Sequence, residues 1–273
     1  MVNPAVIAHG GAGPGPSRQA NLKLAIKKAS EILIAGGNAI DAAVQACVVL
    51  EDDPVFNAGT GSVMRTDGSV LTDASIQTGD GKLGFVIAME NTPNPILVAA
   101  DLLDEEINGL TSSGARIWAD NKGHINRKVI GVNPEGQIGD TMKKTTGDTV
   151  GVIARDNTGM IVVATSTGGC SYRPPGRVGD VPLPGSGFWA EDGLAVAATG
   201  IGEAITRTLL SNKVYEKISD KTYSIEESLN WGIDNLISPK YSVGLIALGP
   251  SGPGLGVSNT DMPWATWEQK SSE

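Results

Sequence analysis

The chain has 273 residues, of which 40% are hydrophobic and 19% are charged, a composition typical of a folded globular protein. Its 30 acidic and 21 basic residues give a net charge of -9, which opposes binding to nucleic acid or to an anionic membrane. A small molecule or a dipeptide is the expected substrate. The 2 cysteines are too few for a disulfide framework, and the first residues lack a basic leader, so we expect a cytoplasmic protein.

The first part of the chain mixes strand and helix patterns. The predicted elements are a strand at 4–8, helices at 22–33 and from 39 onwards, a hairpin at 62–65 and 70–74, a strand at 83–89 and a helix at 96–107. Gly36 and Gly37 predict the end of the first helix, and Asn38 is a good N-cap for the second.

Residues 121–148 are rich in Lys, Asn, Gly, Asp and Thr, which predicts an exposed, flexible linker. Strands and helices alternate again after it. The predicted elements are a hairpin at 149–155 and 160–167, a strand at 194–199, helices at 205–210 and 225–237, and strands at 243–248 and 255–258. The two parts share no sequence repeat, and we expect a single domain over 1–273.

Motifs of the common hydrolases are absent. The sequence has no G-x-S-x-G, no H-E-x-x-H and no C-x-x-C, and it has only 2 histidines. A catalytic triad that depends on histidine is therefore nearly excluded. His9 opens a glycine-rich turn, and for it we predict a structural role, packing and hydrogen-bonding at the end of a strand.

Thr149 offers a different chemistry, because it follows the polar segment directly. A threonine inside a chain is a poor nucleophile. If the bond before it is cut, its own α-amine, with a pKa of about 8, becomes a base beside its hydroxyl. Thr149 would then supply both the nucleophile and the base.

Two further segments could complete such a site. Thr199 and Gly200 offer a hydroxyl and a backbone N–H for an oxyanion, although the alternative is a simple strand-to-helix turn. Arg177 and Asp180, set between glycines, could bind the carboxylate and the ammonium group of an amino acid. The alternative is that they pair with each other at the surface.

Six motifs together resemble the plant-type asparaginase and isoaspartyl peptidase family of N-terminal nucleophile hydrolases, which is glycosylasparaginase-like. The motifs are His9-Gly10-Gly11-Ala12-Gly13, Phe56-Asn57-Ala58-Gly59, Asp148-Thr149-Val150-Gly151, Ala164-Thr165-Ser166-Thr167-Gly168-Gly169, Pro175-Gly176-Arg177-Val178-Gly179-Asp180 and Thr199-Gly200-Ile201-Gly202. The resemblance covers nearly the whole chain. It implies an α+β fold, a four-layer αββα sandwich.

The resemblance also implies a role for each matching residue. Thr149 is similar to the nucleophile, Thr167 to the hydroxyl that orients it, and Asn57 to a residue that braces it. Arg177, Asp180 and the carbonyl of Gly202 match the groups that bind substrate, and Thr199 with Gly200 matches the oxyanion hole. The main-chain carbonyls of Leu50, Glu51, Asp53, Phe56, Ala58 and Thr60 match a loop that binds sodium, and no organic cofactor is implied.

Self-cleavage between Asp148 and Thr149 is implied as well, giving an α subunit of 1–148 and a β subunit of 149–273, with two αβ units forming a dimer. Two departures stand out. The polar segment before Asp148 is short for the family, which implies slow or temperature-dependent cleavage, and Ile201 replaces a small hydroxyl residue.

The leading hypothesis is a self-processing threonine amidohydrolase that acts on L-asparagine and on β-aspartyl dipeptides. One alternative is a glycosylasparaginase, which needs room for a sugar. Another is an unprocessed, non-catalytic protein that binds amino acids.

Overall fold

The structure, a computed structural model, describes residues 2–13, 18–132 and 149–270. Within these ranges the chain forms eleven strands and seven helices. The strands are β1 (Ala5–His9), β2 (Thr72–Thr78), β3 (Leu83–Met89), β4 (Gly109–Thr111), β5 (Val150–Arg155), β6 (Ile161–Thr167), β7 (Phe188–Glu191), β8 (Leu194–Gly200), β9 (Val243–Leu248), β10 (Leu255–Ser258) and β11 (Trp264–Glu268). The helices are α1 (Gln19–Ile34), α2 (Ala39–Asp52), α3 (Pro95–Asp101), α4 (Ser112–Asn121), α5 (Gly202–Thr208), α6 (Leu210–Ser219) and α7 (Ile225–Leu236).

The strands form two sheets. The larger has seven strands in the order β11-β1-β5-β6-β2-β3-β4, and the smaller has four in the order β10-β9-β8-β7. All neighbouring strands are antiparallel except β3 and β4, which are parallel. The mixture of helices with largely antiparallel sheets confirms the predicted α+β class.

Buried apolar side chains form three clusters, and the alternation of β1 shows how they are divided. Val6 and Ala8 pack in a cluster with residues of α1, α2, α3 and α4, whereas Ala5 and Ile7 pack in a cluster with residues of the smaller sheet. Successive side chains of a strand point to opposite faces, so one short strand contributes to two cores. The third cluster joins the smaller sheet to α5, α6 and α7.

Local signals fix the helices near the start of the chain. The side chain of Asn38 accepts a hydrogen bond from the Asp41 N–H at 2.7 Å, which confirms the predicted N-cap of α2. Gly36 has a φ of 82°, which favours glycine, and α1 ends two residues before it, at Ile34.

The hairpin predicted at 62–65 and 70–74 is wrong. The Asp67-Gly68 turn forms, since the Gly68 N–H donates to the Arg65 carbonyl at 3.0 Å. However, Val63 makes only an isolated bridge with Val132, and residues 72–78 form β2, which pairs with β3 and β6. The turn is local, but the strand bonds go to partners that are distant in sequence.

Other elements differ from the prediction in extent. The helix predicted at 96–107 is shorter, because α3 ends at Asp101. The helix predicted at 205–210 ends at Thr208, and Leu209, with a φ of 52°, separates it from α6. Strands β4, β7 and β11 and helices α4 and α6 were not predicted.

The predicted linker lies partly within the structure. Residues 121–132 run beside the rest of the chain, where the Arg127 N–H donates to the Asn91 carbonyl and the Val132 N–H to the Ser62 carbonyl, both at 2.9 Å. Residues 133–148, which include Asp148, lie outside the described residues. Across the described ranges, every helix is too short or too polar to cross a membrane.

Candidate active site

Thr149 lies immediately before β5 and is buried, with 4% of its surface exposed. In the pairing of β5 with β6, Gly151 lies opposite Thr165 and Val150 lies opposite Ser166. One further step in this register brings Thr149 opposite Thr167. The hairpin therefore brings the ends of the two strands, and the two predicted threonines, to one place.

A glycine turn follows Thr167 and is fixed by two side chains. The Thr167 hydroxyl accepts a hydrogen bond from the Gly169 N–H at 2.9 Å. Asn57 donates from Nδ2 to the Gly169 carbonyl at 2.6 Å, and the main-chain carbonyl of Asn57 accepts from the Gly168 N–H at 3.0 Å. Asn57 thus fastens the turn after Thr167, and its predicted action on Thr149 stays a prediction.

His9 packs against the same strand end. It lies opposite Gly151 in the pairing of β1 with β5, and a Cβ at Gly151 would clash with its Nε2 atom. Nδ1 accepts a hydrogen bond from the Gly11 N–H at 3.3 Å. Complete burial lowers the pKa of His9 to about 3, although the main chain of Thr149 acts to raise it. A neutral, packed imidazole agrees with the structural role predicted for it.

Thr199 and Gly200 lie at the end of β8, where the chain turns into α5. Thr199 is fully buried, and its hydroxyl has no hydrogen-bond partner within the described part of the chain. Gly200 has a φ of 131°, and a Cβ there would clash with the Ser242 carbonyl oxygen. The segment therefore forms the strand-to-helix turn of the alternative interpretation. It also holds a buried hydroxyl that is unpaired among the residues the structure describes.

Arg177, Asp180 and Gly202 converge. A Cβ at Gly202 would lie 2.7 Å from Asp180 Oδ1 and 2.8 Å from Arg177 Nη2. Both side chains therefore approach the main chain at the start of α5, and a larger residue at this position would displace them.

Asp180 is 4% exposed, and its Oδ2 atom has no hydrogen-bond partner among the described residues. Burial raises the pKa of Asp180 to about 7, and the neighbouring charge of Arg177 only partly offsets this. The alternative in which Arg177 and Asp180 pair at the surface is wrong. Asp180 is buried, and Arg177 instead forms a two-point ion pair with Glu203.

A second buried pair of charges lies behind the glycine turn. Arg65 is 3% exposed and donates to the Cys170 carbonyl at 3.4 Å. Asp73, which lies opposite Thr167 in the pairing of β2 with β6, accepts from the Ala88 N–H at 2.8 Å. Burial raises the pKa of Asp73 to about 6, and the charge of Arg65 opposes the rise.

Sequence reasoning missed three charged residues of this site: Arg65, Asp73 and Glu203. For Glu203 a signal existed, because it follows Gly202 at the start of α5, next to the proposed substrate groups. Arg65 and Asp73 are brought to the site by pairing of β2 with β6, for which the local sequence holds no signal.

In the predicted sodium loop, main-chain carbonyl oxygens lie close to two glycines. Carbonyl oxygens of the loop approach two glycines: a Cβ at Gly59 would lie 2.6 Å from the Glu51 oxygen, and one at Gly61 would clash with the Phe56 oxygen. Glu51 and Phe56 belong to the predicted set. Main-chain carbonyl oxygens are ligands that suit a hard cation, and sodium binding by this loop stays a prediction.

Known proteins resemble this chain over most of its length. The sequence profile of a family described as asparaginase matches residues 2–128 and 110–273. An isoaspartyl peptidase/L-asparaginase of Bos taurus is 36% identical over 97% of this chain and 93% of its own length. One of Nostoc sp. is 33% identical over 92% and 87% of the two chains, and a plant-type L-asparaginase of Pyrobaculum calidifontis is 35% identical over 83% and 84%.

The two ranges matched by the family profile span both the segment before Thr149 and the segment after it. The chain belongs to the asparaginase family.

Proposed function

We propose that this protein is a self-processing threonine amidohydrolase that hydrolyses L-asparagine to L-aspartate and ammonia and cleaves β-aspartyl dipeptides. The bovine and Nostoc relatives carry both activities in their names, isoaspartyl peptidase and L-asparaginase. The observation that carries the proposal is the buried position of Thr149, one register step beyond the Val150–Ser166 pair and therefore across from Thr167.

Cleavage of the bond between Asp148 and Thr149 would free the α-amine of Thr149. The amine would take the proton from the Thr149 hydroxyl, and the oxygen would attack the amide carbonyl of the substrate. The protonated amine then gives its proton to the leaving group, which departs as ammonia or as an amine. Water hydrolyses the ester left on Thr149, releases aspartate and restores the enzyme.

Thr167 is the proposed orienting hydroxyl for Thr149. Its bond from the Gly169 N–H and the bonds of Asn57 to the same turn support a fixed hydroxyl position. Fixed groups accelerate a reaction because they do not have to reorganise as it proceeds.

Thr199 and Gly200 are the proposed donors to the oxyanion that forms in the attack. The buried Thr199 hydroxyl, unpaired within the described ranges, supports this role, because a negative oxygen would satisfy it. The φ of 131° at Gly200 supports a fixed direction for the neighbouring N–H.

Arg177 and Asp180 are the proposed partners of the substrate α-carboxylate and α-ammonium group, with the Gly202 carbonyl as a second acceptor. Their convergence at Gly202 supports this assignment. When both charged groups of an amino acid are held, the carbonyl one methylene group away is the one that can reach Thr149. The same anchors accept asparagine and a β-aspartyl dipeptide, which share this half.

For the architecture we propose the four-layer αββα sandwich of N-terminal nucleophile hydrolases. The three apolar clusters support it, since one lies between the sheets and the other two join each sheet to helices. A dimer of αβ units and the division into 1–148 and 149–273 belong to the same proposal.

A sodium ion held by carbonyls of the loop at 50–60 is also part of the proposal, and the carbonyl oxygens of Glu51 and Phe56, which lie close to Gly59 and Gly61, are ligands of the kind a hard cation takes. The ion would stiffen the segment that leads to Asn57. A cytoplasmic location is supported by Cys47 and Cys170, which are both free and buried.

The test is Thr149→Ala with Thr66→Ala as its control, since Thr66 is exposed. Wild type and control should give two bands on a denaturing gel and release ammonia from asparagine. Thr149→Ala should give one band and lose roughly 10⁴-fold or more of the activity. A processed and active Thr149→Ala protein would refute the assignment. If the wild type hydrolyses a glycosylated asparagine faster than it hydrolyses asparagine, the glycosylasparaginase alternative is favoured.

A further inference from the structure

Glu203 and Arg177 form a two-point ion pair beside the proposed substrate groups. Arg177 donates from Nε to Oε1 at 3.1 Å and from Nη2 to Oε2 at 3.0 Å. The Arg177 side chain is 11% exposed and that of Glu203 is 39% exposed. Two parallel hydrogen bonds of this kind fix the plane of a guanidinium group as well as its position.

The pair leaves a defined set of donors. A guanidinium has five N–H groups, and Glu203 takes the one on Nε and one of the two on Nη2. The remaining three, two on Nη1 and one on Nη2, include a second edge that can hold another carboxylate by two bonds. Glu203 therefore determines which edge of Arg177 is open to a ligand.

Buried acidic groups make this control necessary. Asp180 and Asp73 are both buried, each has a carboxylate oxygen unpartnered within the described residues, and both feel the charge of Arg177. An unrestrained guanidinium could turn towards either one and lose its open edge. Burial tends to raise the pKa of Glu203, but the hydrogen bonds and the charge of Arg177 outweigh it and leave the pKa lowered. Glu203 thus stays charged and keeps its ion pair with Arg177.

We propose that Glu203 is a positioning residue, which holds Arg177 so that one edge of its guanidinium faces the α-carboxylate of the substrate. The inference rests on the proposed role of Arg177 as the carboxylate anchor. The competing interpretation is that Glu203 occupies the place of that carboxylate and has to be displaced by it. The two predict opposite changes in KM.

The experiment compares Glu203→Ala and Glu203→Gln with Glu216→Ala, which removes an exposed charge from α6. Two substrates are used: L-asparagine and L-aspartic acid diamide, in which a neutral amide replaces the α-carboxylate. For asparagine, Glu203→Ala should raise KM about tenfold and change kcat by less than about threefold, the size expected for lost charge-assisted hydrogen bonds. Glu203→Gln, which keeps one acceptor, should fall between, and Glu216→Ala should match the wild type.

The diamide separates a positioning role from a structural one. It has no α-carboxylate for Arg177, so Glu203→Ala should change its kcat/KM by less than about twofold. If Glu203→Ala loses kcat/KM equally for both substrates, or has a lower KM for asparagine than the wild type, the proposal is overturned. If the wild type hydrolyses asparagine but the Glu203 variants show no rise in KM that is specific to asparagine, the inference alone fails. A wild type that hydrolyses neither substrate overturns the proposed function and the inference with it. If Glu203→Ala does not fold, the KM of Glu203→Gln decides.

Discussion

Replacing Thr199 by valine removes one hydroxyl group from the end of β8 and changes the shape of the side chain little. In the proposed mechanism this hydroxyl stabilises the oxyanion, and loss of one such donor typically lowers kcat by about 10²–10³-fold. KM should change little, because Thr199 is not one of the groups assigned to the α-carboxylate and the α-ammonium group. Self-cleavage should still be visible as two bands, because the Thr149 hydroxyl and the bond before it are intact.

Stability should move in the opposite direction. The Thr199 hydroxyl is buried without a partner among the described residues, and an unsatisfied buried polar group costs about 1 to 3 kcal/mol. Valine removes that cost, so Thr199→Val should raise the free energy of unfolding by about 1 kcal/mol, or the Tm by about 2 °C for a chain of this length. A gain in stability with a loss of activity identifies a group kept for the reaction.

A matched control is Thr165→Val on β6. Thr165 is also fully buried, but its hydroxyl lies 2.6 Å from the Ser75 hydroxyl, so the valine should lower the free energy of unfolding by about 1 kcal/mol. Steady-state release of ammonia gives kcat and KM, and denaturant unfolding gives the free energies. An unchanged kcat in Thr199→Val, or a destabilisation equal to that of Thr165→Val, would contradict the reasoning.

Two further substitutions test the geometry around Thr199 and Thr149. Gly200→Ala should cost roughly 3 kcal/mol or more in denaturant unfolding, because its Cβ meets the Ser242 carbonyl at a φ of 131°. Gly68→Ala, at a φ of 81° with open space around it, should cost only about 1 to 2 kcal/mol, and equal costs would contradict the clash. His9 has a pKa of about 3 in the folded protein against an ordinary 6.5, so protons bind the unfolded chain first as the pH falls below 6.5. Wild-type stability should therefore fall by up to about 1.4 kcal/mol per pH unit more steeply than that of His9→Asn between pH 6 and 4, and parallel curves would exclude this role of His9.

Elements whose signals are local could be predicted from the sequence. Asn38 caps α2 through a residue three positions away, and the β5–β6 hairpin turns where the Gly159 N–H donates to the Asp156 carbonyl at 3.1 Å. Both features depend on neighbours within a few residues. The α+β class itself was implied by the resemblance to the asparaginase family.

Elements stabilised by distant partners could not be predicted in this way. β11, at 264–268, pairs with β1, so Ala5 lies opposite Glu268 at the other end of the chain. The sequence predicts a local hairpin that includes the start of β2, because the turn at Asp67 does form, whereas the strand hydrogen bonds of β2 go to β3 and β6. Pairing over such distances depends on the whole fold, which no short window contains.

The residues of the candidate site also divide into those with a local sequence signal and those brought together by distant pairing. Thr149 directly precedes β5 and Thr167 ends β6, so the predicted hairpin of these two strands brings the two threonines together. The motif around Arg177 indicates a substrate group, but it does not indicate which acidic residue pairs with the arginine. That partner, Glu203, lies 26 residues further along the chain. Side chains joined by strand pairing, such as Asp73 and Thr167, need the sheet order before they can be recognised.

The order of the larger sheet also determines what a cut before Thr149 would leave behind. β1, β2, β3 and β4 precede that bond and β5, β6 and β11 follow it, yet β1 lies between β11 and β5, and β6 lies between β5 and β2. The strands of the two fragments would alternate within one sheet and share its backbone hydrogen bonds. Neither fragment could then dissociate unless the larger sheet unfolded. After unfolding, the two fragments would have to reassociate in a bimolecular reaction. The fraction of native protein recovered after heating would therefore depend on protein concentration.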